Sequence, residues 1–173
     1  MDDLKSILRA TYEPQAKAEE MLGPKGYTLD KDNSTMESKV FVKDGQPIIA
    51  HRGSHRLSDF LYQDPAAALG IQTKRLTQAK QLNKDLESKY GVKPTNVGSS
   101  LGGYIAQRAS TGGKIVTYNK LANPYDMLKK PNPNQQDIRT RYDIPSLLSS
   151  YQKNMKTIKG SINPLKAHRI SQL

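Results

Sequence analysis

Apolar positions change period several times along this 173-residue chain. Leu4, Ile7, Leu8 and Tyr12 recur at helical spacing, which predicts a helix over 2–22, kinked at Pro14 and ended by Gly23-Pro24-Lys25-Gly26. The polar run TLDKDNSTMES over 28–38 reads as a loop. Val40 and Val42 then alternate with polar neighbours, Asp44-Gly45 supplies a turn, and Pro47-Ile48-Ile49-Ala50 starts a second apolar run. That is a hairpin. Residues 55–70 read as a loop and a short helix ending near Gly70. Leu76, Ala79, Leu82, Leu86 and Tyr90 form one stripe, predicting a helix over 72–90 with Gly91 as its cap.

Beyond it, TNVGSS reads as a strand end, LGGYIAQRAS as a helix closed by Gly112-Gly113, and KIVTYN (114–119) as a strand. A loop rich in Pro and Asn follows. DIRTRYD (137–143) alternates like an edge strand, IPSLLSSYQKNM reads as a helix with Pro145 in its first turn, and the C-terminal stretch as loop. Strands alternate with helices from the middle onward. This predicts an α/β fold with a mostly parallel sheet and flanking helices, in one domain over 1–173. Its parts are an N-terminal helix and loop over 1–38 and a core over 39–173.

Composition narrows the chemistry. There is no cysteine, so disulfides, thiolate-bound zinc and thiol catalysis are excluded. Met1-Asp2-Asp3-Leu4-Lys5 lacks the basic and apolar regions of a secretory leader, and no apolar run approaches a membrane span. The expectation is a soluble protein, cytoplasmic or associated with a virus particle. The net charge of +11 points to an anionic partner, either an acidic membrane surface or nucleic acid. The excess is concentrated late, with ten Lys/Arg against three Asp/Glu from Lys120 to Leu173. Aromatics do not interleave with these basic residues, so single-strand binding is disfavoured.

One stretch carries candidate reactivity. Gly98-Ser99-Ser100-Leu101-Gly102 satisfies G-x-S-x-G between a strand and a helix. The central residue of that motif sits on a sharp turn, where side chains two positions away would clash. By this register Ser100 is the candidate nucleophile and the Leu101 N–H a candidate oxyanion donor, while Gly98, Gly102 and Gly103 permit close packing. A plain structural turn fits the same residues. A phosphate-binding loop does not, because neither a following Lys-Ser/Thr nor G-x-G-x-x-G spacing is present. The histidines are His51, His55 and His168, and only His168 follows Ser100. The acids between them are Asp126, Asp137 and Asp143. Asp126 falls in a loop and Asp137 opens its strand at the wrong end, whereas Asp143 stands at a strand's C-terminal edge, where open α/β sheets carry function. An N-cap role suits Asp143 equally, and a surface role suits His168.

Upstream, Ile48-Ile49-Ala50-His51-Arg52-Gly53-Ser54 followed by Ser58-Asp59-Phe60, together with the elbow Gly98-Ser99-Ser100-Leu101-Gly102-Gly103, resembles the class 3 (fungal-type) lipases of the α/β-hydrolase superfamily. KIVTYN, Asp143-Ile144-Pro145 and Ala167-His168-Arg169 match later family segments in order, so the resemblance spans about residues 40–170. The family usually has His where Ser99 stands, and its members are longer. The resemblance implies Ser100 as nucleophile, His168 as general base, Asp143 as orienting carboxylate, and Ser54 with Leu101 as the oxyanion hole. It implies a lipase or phospholipase acting on lipid esters, with no metal or cofactor. The segment 123–135, with Tyr125, Met127 and Leu128, is a candidate lid. An esterase or thioesterase of the same fold acting on small substrates, and an inactive basic membrane- or nucleic-acid-binding module, are the competing readings.

Overall fold

The computed structural model describes residues 2–54, 65–121, 130, 132–143, 146 and 154–173. Helices α1 (Asp2–Ala10) and α2 (Gln15–Leu22) precede strands β1 (Thr28–Leu29), β2 (Ser38–Lys43) and β3 (Gln46–His51). Helix α3 (Pro65–Tyr90) leads into β4 (Thr95–Ser99), and α4 (Leu101–Ala109) into β5 (Ile115–Tyr118). Strands β6 (Gln135–Thr140) and β7 (Met155–Ile158) and the short helix α5 (Pro164–Ala167) follow. Among the described residues no helix is long and apolar enough to cross a membrane.

The strands form one seven-stranded sheet in sequence order, antiparallel from β1 to β3 and parallel from β3 to β7. Each parallel strand is added on the same side of the last. Right-handed crossovers therefore put α3 and α4 on one face, while α1 and α2 cover the other. The hairpin turns at Asp44 (φ 51°) and Gly45 (φ 74°), the paired left-handed residues of a type I′ turn.

The two faces differ in chemistry. Under α1 and α2, Ile7, Leu8, Leu22, Phe41, Val97, Tyr118 and Ile138 form one apolar cluster. Under α3 and α4, Val40 and Ile49 meet Leu86, and Leu101 and Ile105 meet Ala79. Between those patches lies a buried polar layer. The His51 Nε2–H donates to Asn96 Oδ1 at 2.9 Å, and the Ser38 hydroxyl donates to His51 Nδ1 at 2.9 Å. Asn96 Nδ2 donates to Asn83 Oδ1 at 2.7 Å. These groups satisfy one another, so their role is to hold α3 on the sheet.

Burial pushes the His51 pKa down to about 4. The unfolded chain binds this proton from near pH 6.5 downward and the folded chain does not, so stability is lost as pH falls from about 6.5 toward 4. The expected loss is about 3 kcal/mol. Urea unfolding across that window, in wild type and His51→Gln, checks it, and equal pH slopes for the two proteins would remove His51 as the cause.

Several boundaries differ from the sequence expectations. Helix α3 begins at Pro65 and runs through Gly70, whose cost of about 1 kcal/mol is spread over a long helix. The expected loop over 28–38 contains β1, because Thr28 and Leu29 pair with Val42 and Phe41. Strand β6 starts two residues earlier than expected, ends before Asp143, and is central rather than an edge. The edge strand on that side is β7, which begins at Met155, the last residue of the expected helix. The rest of that helix apart from residues 146 and 154, the candidate lid apart from residues 130 and 132–135, His55, Asp126 and Ser58-Asp59-Phe60 lie outside the described residues.

Candidate active site

Ser100 follows β4 and starts α4 with φ 53° and ψ −123°, a conformation that costs an L residue about 1–3 kcal/mol. Neighbouring glycines make it accessible. A Cβ on Gly98 would stand 2.2 Å from the Gly102 carbonyl oxygen, and one on Gly102 would stand 2.2 Å from that of His51. Gly103 lets α4 approach Lys120 on the next strand's exit. The Ser100 N–H donates to the Tyr118 carbonyl at 3.1 Å, and its own carbonyl accepts from the Leu121 N–H at 3.0 Å. The turn is thereby locked to the end of β5. The Leu101 N–H sits in the first turn of α4, where no intrahelical acceptor exists and the helix dipole favours negative charge.

The other groups stand at the same edge of the sheet. Ser54 is half-buried, just past the end of β3. Gly53, between them, is so close to the turn that a Cβ there would lie 3.5 Å from Ser100 Cβ. The Gly53 N–H donates to the Tyr12 hydroxyl at 3.0 Å, so the segment after α1 holds this loop. Asp143 follows β6 and is 1% exposed. Its Oδ2 accepts the Ser146 N–H at 2.9 Å. Its Oδ1 lies 2.5 Å from His168 Nδ1. One carboxylate thus contacts both the Ser146 N–H and His168 Nδ1.

His168 follows α5, and its backbone is clamped on both sides. The Ala167 carbonyl accepts from Asn119 Nδ2 at 2.9 Å and from the Thr140 hydroxyl at 2.6 Å. The Arg169 carbonyl accepts from the Tyr118 hydroxyl at 3.1 Å. Tyr118, Asn119, Thr140 and Tyr12 were not singled out from sequence. Asn119 carried one signal, an Asn at a strand exit, and it does adopt φ 44°.

Two polar atoms here are buried without a hydrogen-bond partner: Ser100 Oγ and His168 Nε2. They do not bond each other. Buried polar atoms are normally paired, so an orphaned hydroxyl and an orphaned imidazole nitrogen at one sheet edge suit a site that awaits a third group. Asp137, the rejected alternative, belongs elsewhere. It is buried inside β6 and paired with Lys120 at 3.0 Å. Among the described residues no group of acids and histidines could hold a metal ion.

No family model matches the sequence, and no curated protein matches it. Among solved structures, the chain is similar to a fungal lipase determined as an inhibitor complex. The identity is 15%, the TM-score 0.51, and the match covers 84% of this chain and 72% of that one. The similarity shows a lipase-like α/β fold.

Proposed function

We propose that this chain is a carboxylic ester hydrolase that cleaves acyl esters of lipids through Ser100, His168 and Asp143. The observation that carries the reading is the Asp143–His168 contact beside a strained serine turn whose hydroxyl is unpartnered. The carboxylate accepts from Nδ1–H, which leaves Nε2 as the proton acceptor. His168 Nε2 takes the Ser100 proton as Oγ attacks the ester carbonyl. The Leu101 N–H and Ser54 stabilise the oxyanion. His168 then protonates the departing alcohol, and water, activated by the same nitrogen, releases the acid and restores Ser100. The 1–38 segment acts with the 39–173 core as one unit, because Tyr12 braces the loop that bears Ser54.

A lipid substrate is favoured by two considerations. The similar fungal lipase structure was interpreted as a model for interfacial activation. The net charge of +11 draws the protein to anionic surfaces, at about 1 kcal/mol per basic residue near the membrane. A silent binding module is the second reading, favoured by the missing Ser100–His168 hydrogen bond. A fluorophosphonate probe separates the two. Labelling of wild type but not Ser100→Ala, with turnover lost in His168→Ala, is the expected result. A folded wild type that stays unlabelled would establish the binding module instead.

A further inference from the structure

Positive charge gathers at the loop beside the serine turn. Arg52 immediately precedes Gly53-Ser54, and its guanidinium lies over the Tyr12 ring, 5.1 Å from the centroid. Among the described residues Arg52 makes no ion pair. Two further cations stand close. Lys39 is 4% exposed and its Nζ donates to the Thr11 carbonyl at 2.9 Å. The Arg75 side chain is 10% exposed, and its Nη2 donates to the Arg52 carbonyl at 2.5 Å.

Burial lowers the pKa of both Lys39 and Arg75, and the charge of Arg52 lowers each further. Against this, Glu37 and Tyr12 raise the Arg75 pKa and Glu13 raises that of Lys39. Glu13 acts on Lys39 only through space, and Glu37, 2.7 Å from Arg75 Nε, is 53% exposed and so screened by water. That contact is close but misaligned, because Arg75 Nε still lacks a hydrogen-bond partner. A protein gains nothing in stability from gathering like charges in a half-buried place. Such an arrangement is expected where an anion binds.

Position identifies the anion's carrier. A Cβ on Gly53 would touch the Tyr12 hydroxyl and Ser100 Cβ at once, so the stacked Tyr12–Arg52 pair and the serine turn flank the same point of the loop. A guanidinium fork matches the oxygens of phosphate in paired hydrogen bonds, and stacking on Tyr12 preorganises it. In a glycerophospholipid the acyl esters and the phosphate sit on one three-carbon backbone. An ester held at Ser100 therefore brings its phosphate into this neighbourhood.

We propose that Arg52, with Lys39 and Arg75 behind it, binds the phosphate of a phosphate-bearing lipid, so that the Ser100 site acts on phospholipid rather than neutral glyceride. The term substrate rests on the hydrolase reading above, whereas the phosphate site does not. The test is therefore binding to Ser100→Ala protein, which cannot turn over. Calorimetric titration compares monomeric dihexanoyl phosphatidylglycerol, dihexanoylglycerol and inorganic phosphate. The phospholipid is expected to bind about tenfold or more tightly than the neutral diacylglycerol. Arg52→Gln is expected to erase that difference, and Arg52→Lys, which keeps the charge but not the fork, to erase part of it. The lysine variant keeps the question answerable should the glutamine variant fail to fold. Equal affinities for the two lipids, or a preference that survives Arg52→Gln, overturn the proposal. Inorganic phosphate binding as tightly as the phospholipid, and through Arg52, overturns the lipid assignment and leaves a free-phosphate site. Absent fluorophosphonate labelling of wild type defeats the hydrolase reading while leaving the calorimetric result standing.

Discussion

Asp143→Asn is expected to slow ester turnover by about ten-thousand-fold while the protein still folds. The reason is hydrogen-bond bookkeeping at one side chain. The carboxylate accepts at both oxygens, from Ser146 N–H and from His168 Nδ1. Asparagine has only one acceptor. With its oxygen turned to Ser146, its NH2 faces Nδ1, which must then accept and carry no proton. The proton moves to Nε2, and the imidazole can no longer receive one from Ser100. A soluble short-chain ester reads the rate without an interface, and circular dichroism reads the fold. A variant that keeps its fold and retains more than a tenth of wild-type activity would remove Asp143 from the mechanism.

The second large effect concerns stability. Lys120→Met is expected to cost about 3–5 kcal/mol, because it strands a buried carboxylate. Lys120 Nζ lies 3.0 Å from Asp137 Oδ2, with side chains 1% and 0% exposed. The Thr117 hydroxyl donates to Asp137 at 2.5 Å, Gln135 Nε2 donates at 2.8 Å, and Lys120 also donates to Gln107 at 2.6 Å. These bonds link β5, β6 and α4 through one polar knot. Lys120→Met combined with Asp137→Leu is expected to cost less than Lys120→Met alone, since no charge is then left unpaired. The satellite amides and hydroxyl keep that cost above zero. Urea denaturation of the single variants and the pair measures it, and additive losses would mean that the two charges do not depend on each other.

That knot also explains where the sequence misled. Asp137 and Arg139 made DIRTRYD look like an exposed edge, yet both are buried. Asp137 is neutralised by Lys120, and Arg139 donates to the Asp143 carbonyl. Alternation reports which residues share a face but not whether a polar face is covered, so paired buried charges imitate solvent exposure. Strand β7 was missed because Met155–Ile158 is four residues of mixed polarity, whose strand character comes from pairing with β6. Other elements were legible locally. Asp44-Gly45 needs only its own left-handed conformations, and the stripe from Leu76 to Tyr90 needs only helical spacing. The glycines around Ser100 mark close approaches that no other residue permits. What no local pattern held was the cross-chain support: Tyr12 under Gly53, and Tyr118, Asn119 and Thr140 around His168. These contacts join residues far apart in sequence, and they exist only once the sheet is paired.

The strand order has a kinetic meaning as well. Ser54 follows β3, Ser100 follows β4, Asn119 follows β5, Asp143 follows β6, and His168 comes after β7, so successive parallel strands deliver one group each. Every parallel pairing joins distant parts of the chain, which makes such pairing slow. The last pairing, β6 with β7, precedes the only stretch that carries the histidine. Helices and the β2–β3 hairpin, by contrast, join residues close in sequence. The constellation at the sheet edge is therefore complete only once every parallel pairing is in place, including the last in sequence, β6 with β7.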